Sequence, residues 1–170
     1  MSSAVTGADQ ALEFDLDYAN RDYRRIFDKR NEYFAAVRGD EVRMGQLQHA
    51  IEQVQKVEFA VRTAREQIEL GEDYAAWEML VSAGEFAKRD PEYNQLMVRL
   101  APKVSDLARH LESGEAYEER GLAAPALAQY LVAREVYPGS MIARQAMERL
   151  GPRLLESAVE VEGPDAATGQ

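Results

Sequence analysis

Residues 110–138, HLESGEAYEERGLAAPALAQYLVAREVYP, hold the spacing that decides the fold. Gly114 precedes Tyr117 by three residues, Ala126 precedes Tyr130 by four, Gly121 lies between the two pairs, and Pro138 ends the stretch. Small residues at Gly114, Ala126 and Ala133 let two helices cross closely, while Tyr117 and Tyr130 are large enough to fill the space beside the crossing. Gly121 can leave a helix with φ > 0, and Pro138 cannot continue one. The spacing predicts two antiparallel helices, 105–120 and 122–137, joined by a tight turn.

This pattern resembles the tetratricopeptide repeat, whose signature W-x2-L-G-x2-Y, A-x3-F and P recurs with a period of roughly 34 residues. Gly114, Tyr117, Gly121, Ala126, Tyr130, Ala133 and Pro138 match it, whereas His110 and Ser113 stand where Trp and Leu are expected. A weaker copy lies upstream, with Gly71 at the turn, Tyr74 after it, Ala76 and Ala83 at small positions, and Asp90-Pro91 as the stop. Its first helix has Ala64 and Gln67 in place of the Gly and Tyr. One such hairpin cannot bury its apolar face alone, so neighbours must stack on it. The resemblance implies an all-α fold, antiparallel helical hairpins stacked as a short tetratricopeptide-like solenoid over 57–160. A last helix at 140–159, carrying Met141, Ile142, Met147, Leu150, Leu154 and Leu155, would cap the open end.

Ahead of these repeats the periodicity predicts a long helical hairpin over 16–70. Tyr23, Ile26, Phe27, Tyr33, Phe34 and Val37 mark one face of a helix over 17–38, and Arg38-Gly39-Asp40 reads as a stop followed by an N-cap. Leu47, Ala50, Val54, Val57, Val61, Ala64 and Ile68 then step by 3 and 4 without interruption, a strict heptad series. That series admits two readings, a seam against the preceding helix or a self-association seam in a homo-oligomer. Six helices are expected in all, near 17–38, 41–70, 73–89, 92–120 with a break or kink at Pro102, 122–137 and 140–159.

Composition bounds the function. The 170 residues include no Cys, and 20 basic against 30 acidic residues leave a net charge of −10. Duplex nucleic acid and anionic membrane would repel such a chain, and no apolar run approaches the roughly 18 residues of a membrane span. The first twenty residues contain no Lys or Arg, unlike a secretory leader, so a cytoplasmic location is expected. Residues 1–15 and 161–170 read as disordered acidic termini. Arg21, Arg24, Arg25, Lys29 and Arg30 interleave with Asp22, Asp28 and Glu32, the pattern of a self-paired helix face.

No catalytic constellation emerges. His49 and His110 fall on different predicted hairpins, and no nucleophile elbow, phosphate loop or metal-ligand spacing is present. Neither an enzyme nor a cofactor or metal is expected. The tetratricopeptide resemblance implies a protein-interaction module with a concave groove. Carried over residue by residue, that groove is Leu111, Glu112, Glu115, Glu118 and Glu119 in the clear repeat and Val61, Arg62, Arg65 and Ile68 upstream. Its mixed charge fits a protein or peptide partner that is amphipathic and partly basic. The expected role is an adaptor, scaffold or assembly factor; the alternative is a small acidic chaperone for an exported or assembled subunit.

Overall fold

A computed structural model describes residues 7–161 of the chain, apart from the side chains of residue 153 and residues 155–161. Every secondary-structure element among the described residues is helical, so the chain is all-α. In order these are α1 (Gly7–Ala19), α2 (Tyr23–Asp28), α3 (Arg30–Val37), α4 (Glu41–Glu69), α5 (Asp73–Ser82), a 3-10 turn at Glu85–Arg89, α6 (Pro91–Glu119), α7 (Ala123–Val136) and α8 (Met141–Val161).

The turns repeat at 50-residue intervals. Left-handed backbone occurs at Arg21, Gly71 and Gly121, with φ of 55°, 79° and 74°. At each, the following amide reaches back to close a Schellman turn: Asp22 N–H to Asp17 O (2.8 Å), Glu72 to Gln67 O (2.9 Å) and Leu122 to Tyr117 O (2.9 Å). The starts of the long helices repeat in the same register. Asp40 accepts from the Arg43 amide (3.0 Å), Asp90 from the Tyr93 amide (3.0 Å) and Ser140 from the Ala143 amide (3.1 Å). The interval between turns is thus 50 residues rather than the roughly 34 of the tetratricopeptide pattern.

Each long helix serves two successive units. The first unit combines α1, α2, α3 and the first half of α4, around Phe14, Tyr23, Ile26, Tyr33, Val37, Leu47, Ala50 and Val54. A second, continuous core begins at Val57 and runs through α5, α6, α7 and α8 to Leu150. All seven residues of the heptad series are buried within the single chain, which makes it an intramolecular seam. The series divides at its middle: Leu47, Ala50 and Val54 belong to the first core, and Val57, Val61, Ala64 and Ile68 to the second.

Several sequence-based boundaries are corrected. Residues 7–15, expected to be disordered, lie in α1, where Phe14 is wholly buried and edge-on to Tyr33 with centroids 5.4 Å apart. Residues 1–6 and 162–170 lie outside the described residues. The single helix expected over 17–38 is interrupted twice. Arg21 turns the chain back with Asp22 capping α2, and Lys29 (φ −95°, ψ 12°) separates α2 from α3. The hairpin expected over 16–70 is therefore replaced by a unit of α1, α2, α3 and the first half of α4. No break occurs at Pro102, since α6 runs through it from Pro91 to Glu119. Pro102 is exposed, while Leu100, Val104 and Leu107 clamp the opposite face. That burial, about 1.5–3 kcal/mol per fully buried Leu or Val, outweighs the missing backbone hydrogen bond.

Ionic contacts tie α1 to its neighbours. Arg43 grips Asp15 with two bonds (2.9 and 2.7 Å), and the guanidinium holds the Asp15 carboxyl below the usual carboxylate range against opposing desolvation. Buried Asp17 accepts from Tyr33 Oη at 2.6 Å. Arg38-Gly39-Asp40 is a helix-connecting turn, with Gly39 at φ 95° and Asp40 capping α4.

The clear hairpin is packed as its spacing predicts. Ala126, Tyr130 and Ala133 are buried, and a Cβ built on Gly114 would lie 2.6 Å from the Tyr130 ring. Tyr117 packs half-buried against the core, and Pro138 follows the end of α7. Ala126→Leu is expected to overpack this crossing and lower unfolding stability by about 1–3 kcal/mol. Ala116→Leu on the exposed side of α6 should change it by less than about 0.5 kcal/mol. Urea unfolding followed by circular dichroism compares the two; equal midpoints would contradict the crossing described here.

Candidate interaction groove

The two junctions differ at equivalent register positions. In the second unit, Arg65 on the latter half of α4 forms an ion pair with Glu92 at the start of α6. Fifty residues on, the same two positions are Glu115 and Ile142, which cannot pair. Between the second and third units there is a groove of about 590 Å³. Trp77 and Val81 of α5 form one wall, Leu111, Glu112 and Glu115 of α6 another, and Ile142, Gln145 and Arg149 of α8 a third. Tyr93, Met97 and Tyr130 complete the lining, and Glu85 and Lys88 stand at the edge.

The walls hold their places through local contacts. Buried Glu78 on α5 accepts from Ser140 Oγ and from the Met141 amide at 2.8 Å, pinning the start of α8 to α5. Tyr74 stacks on Tyr137 with centroids 5.4 Å apart, joining α5 to the end of the third unit's hairpin. Arg149 lies along Glu118 with two bonds of 2.8 Å, and Tyr130 Oη donates to the same carboxylate at 3.3 Å.

The groove has an apolar floor and a carboxylate rim. Its two basic residues are paired, Lys88 with Glu85 at 2.6 Å and Arg149 with Glu118. Glu112 and Glu115 have no ion-pair partner among the described residues. Unbalanced charge at the opening is therefore negative.

Of the groove residues expected from sequence, Leu111, Glu112 and Glu115 line it. The others are placed elsewhere. Glu118 is turned to Arg149 beside the groove, and Glu119 is exposed at the end of α6 outside the lining. Val61 and Ile68 are buried in the second core. Arg62 lies over the Phe59 ring at 5.7 Å, and Arg65 is held by Glu92. Trp77, Tyr93, Met97, Ile142 and Arg149 were missed. The lone Trp of the chain, set in an alanine-rich helix, was the available signal.

His110 Nδ1 bonds to Gln129 Oε1 at 2.9 Å, and His49 Nδ1 to Tyr18 Oη at 3.2 Å. Among the described residues no His, Asp or Glu cluster could hold a metal, and no helix is long and apolar enough to cross a membrane. Comparison with protein-family models, curated proteins and solved structures finds no match.

Burial, reinforced by the neighbouring Glu118 charge, pushes the Tyr130 phenol up to about 12. A pKa raised in the folded state contributes stability that is intact below the unfolded value near 10 and is lost as pH rises through the folded one. Tyrosine absorbance near 295 nm should therefore show a late-ionising phenol, and Tyr130→Phe should remove one such group. If the variant keeps the same alkaline titration curve, Tyr130 is not held as described.

Proposed function

We propose that this chain is a non-enzymatic interaction module whose working surface is the groove between its second and third units. One observation carries the reading: a groove with Trp77, Met97, Leu111 and Ile142 in its walls is rimmed by two carboxylates, Glu112 and Glu115, that form no ion pair among the described residues. Apolar surface in a cleft gains from being covered. An uncompensated negative rim selects positive over negative partners and speeds their encounter. The matching ligand is an amphipathic protein segment, apolar on one face and flanked by Lys or Arg. The fold belongs, on this reading, with helical-hairpin arrays of the tetratricopeptide kind, lengthened to a 50-residue unit. An adaptor or assembly factor is the role such a groove serves.

Trp77 provides the readout, because it is the only Trp in the chain and lines the groove. A synthetic helix with leucines on one face and lysines on the other is expected to shift Trp77 emission, and its glutamate counterpart is not. Binding should weaken with added salt, since charges are screened beyond a Debye length of about 8 Å at physiological ionic strength. Glu112→Lys combined with Glu115→Lys should mainly slow association, and Met97→Ala should mainly speed dissociation. Equal affinity of the double variant and the parent would falsify this assignment of the groove.

A further inference from the structure

The 50-residue register also shows what is left uncovered at the two ends of the array. Inside the chain, Trp77 and Val81 of the second unit face Leu111, Glu112 and Ile142 of the third across one junction. The positions equivalent to Trp77 and Val81 at the far end are Leu127 and Leu131 on α7. Those equivalent to Glu112 and Ile142 at the near end are Leu12 on α1 and Val42 on α4. Among the described residues no unit follows α8 or precedes α1. Leu131 is accordingly 47% exposed, Leu12 62% and Val42 71%.

The chemistry at these end positions is apolar where solvated positions would favour charge. Leu12 has Arg62 and Glu112 as its internal counterparts, and Val42 has Glu92 and Ile142. On α7, Leu127 and Leu131 are joined by Ala124 and Ala128, which replace Tyr74 and Glu78, the residues that hold the next unit on α5. α7 therefore carries a second apolar stripe besides the Ala126, Tyr130 and Ala133 face that it buries internally.

We infer that the two ends are mates: the α7 face of one copy receives the first unit of a second copy, head to tail. The occupant follows from continuity with the junction already present in the chain. Stacking sets Leu127 and Leu131 opposite Leu12 and Val42 in the register that places Trp77 and Val81 opposite Glu112 and Ile142. The contact is heterologous, so it leaves a free end on each copy and extends into rows. In the stacked register residues 157–161 of one copy and 7–11 of the next share a place, so the end of α8 must give way and the association is weak. This inference does not rest on the groove as a partner site. The two also respond oppositely to salt: copies with a net charge of −10 repel one another, so added salt strengthens stacking but weakens binding of a basic segment.

Sedimentation velocity of the full chain over a concentration series, at low and high salt, tests it. Leu131→Glu blocks the tail, and Val42→Glu blocks the head in the first turn of α4, where a carboxylate suits the helix dipole. Unchanged circular dichroism verifies that each variant is folded. The parent is expected to associate increasingly with concentration and salt, and each variant alone to stay monomeric. An equal mixture of the two should form dimers and nothing larger, because only one head and one tail remain competent. A parent that stays monomeric throughout, a variant that self-associates like the parent, or a mixture without dimers overturns the inference.

Discussion

Continuity of the long helices is the constraint on which the rest of the structure depends. α4 and α6 each span 29 residues, about 44 Å at 1.5 Å per residue, and each buries its two halves in different units. A helix is stiff over that length, so the orientation of one unit is carried into the next. Burial must stay on the helix for its whole course, which is why the heptad series of α4 runs unbroken from one core into the other. The same demand keeps α6 helical through Pro102, whose exposed ring sits opposite Leu100 and Val104.

Repetition supplies the frame, and departures from it supply the site. The Schellman turns and helix caps recur with the same bonds at nearly the same lengths, so equivalent residues occupy equivalent places. Within that frame, Arg65 and Glu92 form an ion pair in one unit, whereas Glu115 and Ile142, at the same register positions of the next, line the groove. An exposed ion pair of this sort adds little stability.

Turn chemistry accounts for how the repeat is hidden. A left-handed residue ends each hairpin's first helix, and glycine meets that demand twice without strain. Arg21 meets it at a steric cost of roughly 1–2 kcal/mol, offset by the two Schellman bonds and by Asp22 capping α2. Caps vary in the same way, Asp twice and Ser once, since each offers an oxygen to the first-turn amides.

By itself the sequence determined the all-α class, most helix positions and the turns at Gly71 and Gly121, because periodicity and φ > 0 residues act over a few neighbours. It also placed Leu111, Glu112 and Glu115 together, since they share one face of α6. Tertiary structure alone decided that Arg21 is a third turn, for nothing local distinguishes it from a solvated arginine. It also removed Val61 and Ile68 from the groove. A helix face is apolar whether it meets a partner or its own core, and only the packing of α5 onto α4 selects between them. The groove was equally beyond local reading, because its walls come from α5, α6 and α8, which are distant from one another in the chain.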